Sequence, residues 1–191
     1  MSSTEKRAIR DEHRRRRSER DPAGIAEAGE RIASHAQSVC EGIVAAYVGI
    51  GDEPPTILLV RSLLNRGARV LLPILRTDMD LEWAEISSIE QLAESSYGLL
   101  EPTTPSRGTS GIAAVEIVLA PGLGVDQTGN RLGQGGGCYD RALVRTSAPV
   151  YAVVFDDEVV DSLPFEPHDR RVDGALTPTR GLFPLGGPTG V

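Results

Sequence analysis

The chain has 191 residues and a hydrophobic content of 40%, enough for one domain around a single core. No apolar run nears the roughly eighteen residues of a membrane span, the basic N-terminus has no apolar leader stretch, and Cys40 and Cys138 are too few for a disulfide framework, so the expectation is a cytoplasmic protein. The net charge of −7 is uneven: residues 1–20 hold eight Lys/Arg against four Asp/Glu, which leaves −11 on the acidic remainder and argues against general nucleic-acid binding.

Residues 4–20 favour a helix, with Thr4 as N-cap and Glu5 in its first turn. Its few apolar positions place it on the body rather than inside it, and Arg14-Arg15-Arg16-Arg17 reads as a solvated face, with a nucleic-acid arm as the sharper alternative. Asp21-Pro22 opens a second helix, in which Ile25, Ala28, Ile32, Ala36 and Val39 recur at three- and four-residue steps and form a core-facing stripe. His35 sits just off that stripe and reads as structural. Residues 43–48 are continuously apolar, as a strand covered on both faces requires. The loop at 49–56 is either a plain connector or, lying past the carboxyl end of a strand, the wall of a ligand site. A third helix follows over 56–65, capped by Thr56 and stopped at Gly67.

Residues 69–75 and 81–86 are the next strands; Trp83, the only tryptophan, reads as core or as a stacking platform. Residues 101–114 form a Pro/Thr/Ser/Gly-rich loop that is either a lid or plain surface. Buried strands are expected at 115–120 and 149–155, a short edge strand at 174–177, and a loosely held tail from Gly181. Strands alternating with helices predict an α/β fold: a mostly parallel sheet with helices on both faces.

Between the last two buried strands lies the densest signal. Pro121-Gly122 ends a strand, residues 126–130 form a turn, and Gly133, Gly135, Gly136 and Gly137 precede a helix-compatible run from Cys138. A strand, a glycine loop and a helix together offer bare backbone N–H groups to phosphate. Neither familiar glycine motif fits: the only lysine is Lys6, and Cys138 stands where a dinucleotide fingerprint needs glycine. A flexible surface turn is the bland alternative, but Arg131, Tyr139, Asp140 and Arg141 around it suit a polyanion and a metal.

The stretch PGLGVDQTGNRLGQGGGCYDR resembles the signature of the 5-formyltetrahydrofolate cyclo-ligases (methenyltetrahydrofolate synthetases), usually close to PGLAFDxxGxRLGRGGGYYDR. Three more segments match in order: the basic start Lys6-Arg7-Ala8-Ile9-Arg10, the turn Tyr97-Gly98-Leu99-Leu100-Glu101-Pro102, and Glu166-Pro167-His168-Asp169-Arg170-Arg171-Val172-Asp173. Together they span residues 6–177. Within the signature, Gln134 stands where arginine is usual and Cys138 replaces the first tyrosine. In the loop at 49–56, Pro55 stands where relatives often have a second acidic residue.

The resemblance implies a three-layer sandwich of a kind shared with some sugar-phosphate isomerases. It also implies a monomer whose partners are a folate substrate and ATP, with neither nucleic acid nor membrane. The implied reaction is ATP- and Mg2+-dependent cyclisation of 5-formyltetrahydrofolate to 5,10-methenyltetrahydrofolate. Alternatives are a divergent enzyme acting on another formyl or pterin compound, and a non-catalytic nucleotide- or folate-binding module. Lys6, Arg10 and Tyr139 are the implied catalytic residues. ATP would be held by Lys6, Arg7, Ala8, Ile9 and Arg10 and by Arg131, Leu132, Gly133, Gln134, Gly135, Gly136, Gly137, Cys138 and Tyr139. The folate would meet Arg10, Ile50, Glu53 and Trp83, and Mg2+ would lie on Asp140 and Asp173. His168 and Asp169 read equally as acid–base groups or as a structural corner.

Overall fold

A computed structural model describes residues 2–39 and 42–186; Cys40 lies outside them, as does the end of the expected tail. In chain order the elements are α1 (Ser2–Ser18), α2 (Pro22–Ser34), β1 (Ile43–Ala45), α3 (Ile57–Asn65), β2 (Arg69–Leu75), β3 (Leu81–Ile86), β4 (Leu92–Glu94) and β5 (Leu100–Pro102). They continue with β6 (Ile117–Pro121), β7 (Gly124–Asp126), β8 (Arg131–Leu132), α4 (Cys138–Leu143), β9 (Val150–Val153), β10 (Val159–Val160), β11 (Gly174–Thr177) and β12 (Gly181–Pro184).

Seven strands form the main sheet in the order β12-β11-β9-β6-β1-β2-β3. The five inner ones are parallel, and each outer strand is antiparallel to its neighbour. Parallel neighbours need a crossover, which α3 supplies between β1 and β2, whereas β2 and β3 are joined by a tight turn at 76–80. Successive residues of the inner strands serve two different cores. Val44, Val70, Leu72 and Leu119 pack beneath Ile32, Ala36, Leu59 and Leu63. Ala45, Leu71, Val118 and Ala120 face Trp83, Ile112, Ala142 and Leu143 on the other side. Both faces are therefore covered, which is why these strands read as unbroken apolar runs rather than alternating ones. The result is the expected three-layer α/β sandwich.

A small sheet, β10-β7-β8, stands beside the large one and carries α1 on a minor cluster of Leu123, Leu132 and Leu163, with Ile9 from the helix. Among the described residues no helix is long and apolar enough to cross a membrane.

Several expectations are corrected. The first helix begins at Ser2, so Thr4 is inside it rather than its cap. Strand β1 ends at Ala45, and residues 46–48 leave the sheet to enter the loop beyond it. Thr56 does not cap α3 with its side chain. Its hydroxyl donates to the Tyr47 carbonyl at 2.5 Å and accepts from the Gly49 N–H at 2.9 Å, closing the neck of the 49–56 loop. The tail from Gly181 is not loose: Gly181–Pro184 is the edge strand, paired from Gly174↔Pro184 to Thr177↔Gly181, so β11 is an inner strand.

Candidate functional site

A cavity of about 960 Å³ opens past the carboxyl ends of β1, β2 and β6, where ligand sites of such sheets form. Its walls are the 49–56 loop, the glycine loop with the start of α4, the polar side of α1, the tip of the β4–β5 hairpin, and the segment at 166–169. Glu101 holds the hairpin there by accepting from the Leu75 N–H at 2.9 Å, at the end of β2.

The glycine loop owes its path to backbone freedom at two positions. Gly135 has φ +105° and Gly137, which enters α4, has φ +68°, both strained for any other residue. The helix it leads into has only six residues, so positive potential here comes from loop amides and arginine side chains more than from a helix dipole. Every predicted loop residue from Arg131 to Tyr139 lines the cavity.

The basic block of α1 divides by helical phase. Lys6 and Arg10, four residues apart, face the cavity, while Arg7 and Ala8 are exposed and Ile9 packs into the minor cluster. Arg7, Ala8 and Ile9 therefore do not line this cavity. Lys6 is 4% exposed, and its ammonium reaches Glu166 at 2.8 Å and Asp169 as well. Burial opposes its charge, but the two carboxylates outweigh burial and raise its pKa. Arg10 donates from Nε to the Gly133 carbonyl at 2.8 Å.

Arg17 overturns the solvated-face reading of the arginine run. It is 1% exposed, forks onto Glu158 through two 2.7 Å bonds, and caps the Gly122 carbonyl at 2.6 Å. Arg15 and Arg16 stay in solvent, paired with Glu12 and Glu19.

Arg131 is buried under the loop. It donates to the Pro121 carbonyl at 3.0 Å and to Asp140 Oδ1 at 3.1 Å, and its guanidinium lies 5.8 Å from the Tyr139 ring centroid. Asp140 also accepts from the Arg170 N–H at 3.1 Å. The hydroxyls of Tyr139 and Tyr47 are buried without a hydrogen-bond partner among the described residues. Burial pushes both phenols upward, Tyr47 well above its ordinary value, so each stays protonated. Tyr139 thus keeps its proton as a spare hydrogen-bond donor at the cavity wall.

Ile50 and Glu53 line the cavity as expected. Glu53 accepts from the Ile50 N–H at 3.3 Å and from Gln134 Nε2 at 3.3 Å. Burial raises its carboxyl above the usual range, and these two donors offset only part of that.

Two assigned residues fall elsewhere. Trp83 is completely buried on the inner side of the cavity wall, its ring edge-on to Tyr139 at 6.3 Å, so it supports the wall and cannot stack on substrate. Asp173 immediately precedes β11 and accepts from the N–H of Val150, the first residue of β9, at 2.8 Å. It therefore stands at the amino ends of the parallel strands, the opposite sheet edge from Asp140. In its place the structure brings Glu166, His168 and Asp169 together, with one ligand atom of each within 4.8 Å of the others. Sequence reasoning also missed Tyr47, Met79 and the hairpin residues Leu99 and Leu100; the turn that carries the latter two was quoted for its resemblance, without a role.

Compared with known proteins, residues 2–178 match the 5-formyltetrahydrofolate cyclo-ligase family. A 5-formyltetrahydrofolate cyclo-ligase of Mycolicibacterium smegmatis is 43% identical over 149 residues, covering 74% of this chain and 76% of that one. Another, from Escherichia coli K12, is 27% identical over 161 residues, covering 81% and 87%. Among solved structures, a 5,10-methenyltetrahydrofolate synthetase of Aquifex aeolicus superposes with a TM-score of 0.81 at 24% identity, covering 97% of this chain and 95% of that one, and shares the fold. With the family match running over nearly the whole length and a relative 43% identical across about three quarters of both chains, the chain belongs to the 5-formyltetrahydrofolate cyclo-ligase family.

Proposed function

We propose that the protein catalyses the ATP- and Mg2+-dependent cyclisation of 5-formyltetrahydrofolate to 5,10-methenyltetrahydrofolate, releasing ADP and phosphate. The observation that carries this reading is convergence. Lys6, Arg10 and the glycine loop bring cationic and N–H donors to the same cavity that holds the half-buried carboxylate of Glu53 and two phenols unpartnered among the described residues. One end suits a polyphosphate, and the other suits a flat heterocycle with ring N–H groups.

A formyl oxygen is a poor leaving group, so the γ-phosphoryl is transferred to it and phosphate then departs as nitrogen 10 of the folate attacks the formyl carbon. The chain's share is positioning and charge neutralisation. Lys6 and Arg10 hold the transferring phosphoryl group, and Arg131 keeps Asp140 and the Tyr139 ring in place behind the loop. Tyr139 donates to a ligand oxygen, and Glu53 accepts from the heterocycle. Glu166 and Asp169, whose oxygens lie together with His168 on the cavity wall, offer the donors that Mg2+ takes, and Asp140 stands on the same wall, whereas Asp173 does not. When bound, the ion neutralises phosphate charge that Lys6 and Arg10 leave uncompensated.

The test is coupled turnover. ATP consumption should require 5-formyltetrahydrofolate and match, mole for mole, the rise in absorbance of the methenyl product. ATP hydrolysis that ignores the folate, or folate binding with no product, overturns the reading.

A further inference from the structure

We propose that Arg14, which lies outside the cavity, is a positioning residue for nucleotide: it fixes Gln134 so that the glycine loop turns its donors toward the phosphates. The proposal rests on the phosphate reading of that loop given above. Lys6, Arg10 and Arg14 follow one another at four-residue steps on α1, and each grips a different part of the site. Arg14 makes three contacts with one residue. Nη2 donates to the Gln134 main-chain carbonyl at 3.0 Å, and Nη2 and Nε donate to its Oε1 at 3.0 and 3.2 Å.

Both ends of Gln134 are thereby oriented. A guanidinium has donors only, so the side-chain oxygen must face Arg14 and the NH2 must face the other way. There it donates to Glu53 across the cavity at 3.3 Å, linking the glycine loop to the 49–56 loop. On the main chain, a trans peptide points its C=O and its following N–H in opposite directions, and no cis bond is present among the described residues. A Gln134 carbonyl held by Arg14 therefore turns the Gly135 N–H away from α1, toward the side the cavity occupies. Arg10 does the same for the preceding peptide through the Gly133 carbonyl. The usual signature arginine is glutamine at this position, and here a cation from a neighbouring helix holds the glutamine in a single donor orientation.

The experiment measures KM for ATP and for 5-formyltetrahydrofolate, kcat and Tm in Arg14→Ala, Arg14→Lys, Gln134→Ala and the Arg14→Ala/Gln134→Ala double variant. Arg14→Ala should raise KM for ATP about tenfold, with KM for folate changing less than about threefold and Tm nearly constant. Arg14→Lys should not rescue, because a single ammonium cannot hold both oxygens in a fork. In the double variant the two effects should be strongly non-additive. Arg16→Ala, which removes the same charge from the exposed side of the helix, should leave KM for ATP within about twofold and so separates orientation from bulk electrostatics. An unchanged KM for ATP in Arg14→Ala, full rescue by lysine, or an equal effect of Arg16→Ala overturns the proposal. Lys6→Ala serves as the check on the underlying reading: if it too leaves ATP binding unchanged, the phosphate assignment fails with it, and if it alone weakens ATP, only the role of Arg14 fails.

Discussion

Helices α1 and α2 are consecutive, similar in length and docked on the same body by opposite chemistry. The apolar stripe of α2 runs through Ile32 into Ala36 and Val39 of the turn that follows the helix, all below 5% exposure and packed in the larger core. On α1 the buried polar residues are Lys6, His13 and Arg17, whose polar atoms meet carboxylates and loop carbonyls, with Arg17 also over the Phe155 ring and Ile9 in the minor cluster. An apolar face is held by burial that tolerates small shifts. A face of fixed donors is held only where each acceptor stands, so α1 is tied to the geometry of the site and not merely to its bulk. This places Lys6 on an element held by the same kind of contact that the lysine offers to the cavity.

The sharpest way to break the contrast is to remove one partner of a buried pair. Arg17→Met leaves Glu158 buried without its cation and should destabilise by about 3–5 kcal/mol, read from denaturant midpoints. Arg17→Met with Glu158→Gln should recover much of that loss, whereas Ile32→Val on α2 should lose only about 1 kcal/mol with no partner to rescue it. Next in size is Lys6→Ala, expected to lower kcat about 10²- to 10³-fold while far-ultraviolet circular dichroism is unchanged. Wild-type kcat/KM in that variant would mean that the lysine merely fastens the 166–169 segment.

A pH titration of stability sharpens the picture further. Burial works against ionisation of Asp126, but N–H and hydroxyl donors from Leu163, Thr128 and Asn130 outweigh it and hold the carboxyl below its ordinary range. A depressed folded-state pKa means stability that is present above the unfolded value of 3.8 and is lost as pH falls through the folded one. The wild type should lose stability across that window, and Asp126→Asn should lack this part of the acid limb. The smallest expected effect is at Cys138, whose Sγ is met by Arg141 Nη2 only at 4.0 Å: Cys138→Ser should leave turnover within about twofold. Abolished turnover would make the thiol catalytic.

The same contrast explains what could be read in advance. Strands β2 and β3 are legible as short apolar runs, and the α2 stripe because its apolar residues recur at helical steps. The glycine loop is legible because only glycine tolerates its path. The buried side of α1 carries no such signal, since an arginine that forks onto Glu158 and one that waves in water are the same letter. Asp169 and Asp173 differ in role for a topological reason: the chain between them runs from the carboxyl to the amino ends of the parallel strands, and spacing alone does not show that turn. Trp83 was misassigned to the ligand because aromatic character suits both a wall and its support. The edge strand at Gly181–Pro184 was lost among glycines and prolines, which suit an edge as well as a tail.

The single tryptophan gives the protein a built-in optical gauge. Because Trp83 is sealed from water and meets Tyr139 edge-on from behind the cavity wall, its emission should be blue-shifted in the folded state. Any occupant that moves the Tyr139 ring changes the surroundings of that one fluorophore. Filling of the site can thus be followed without a label, from a residue sealed behind the cavity wall.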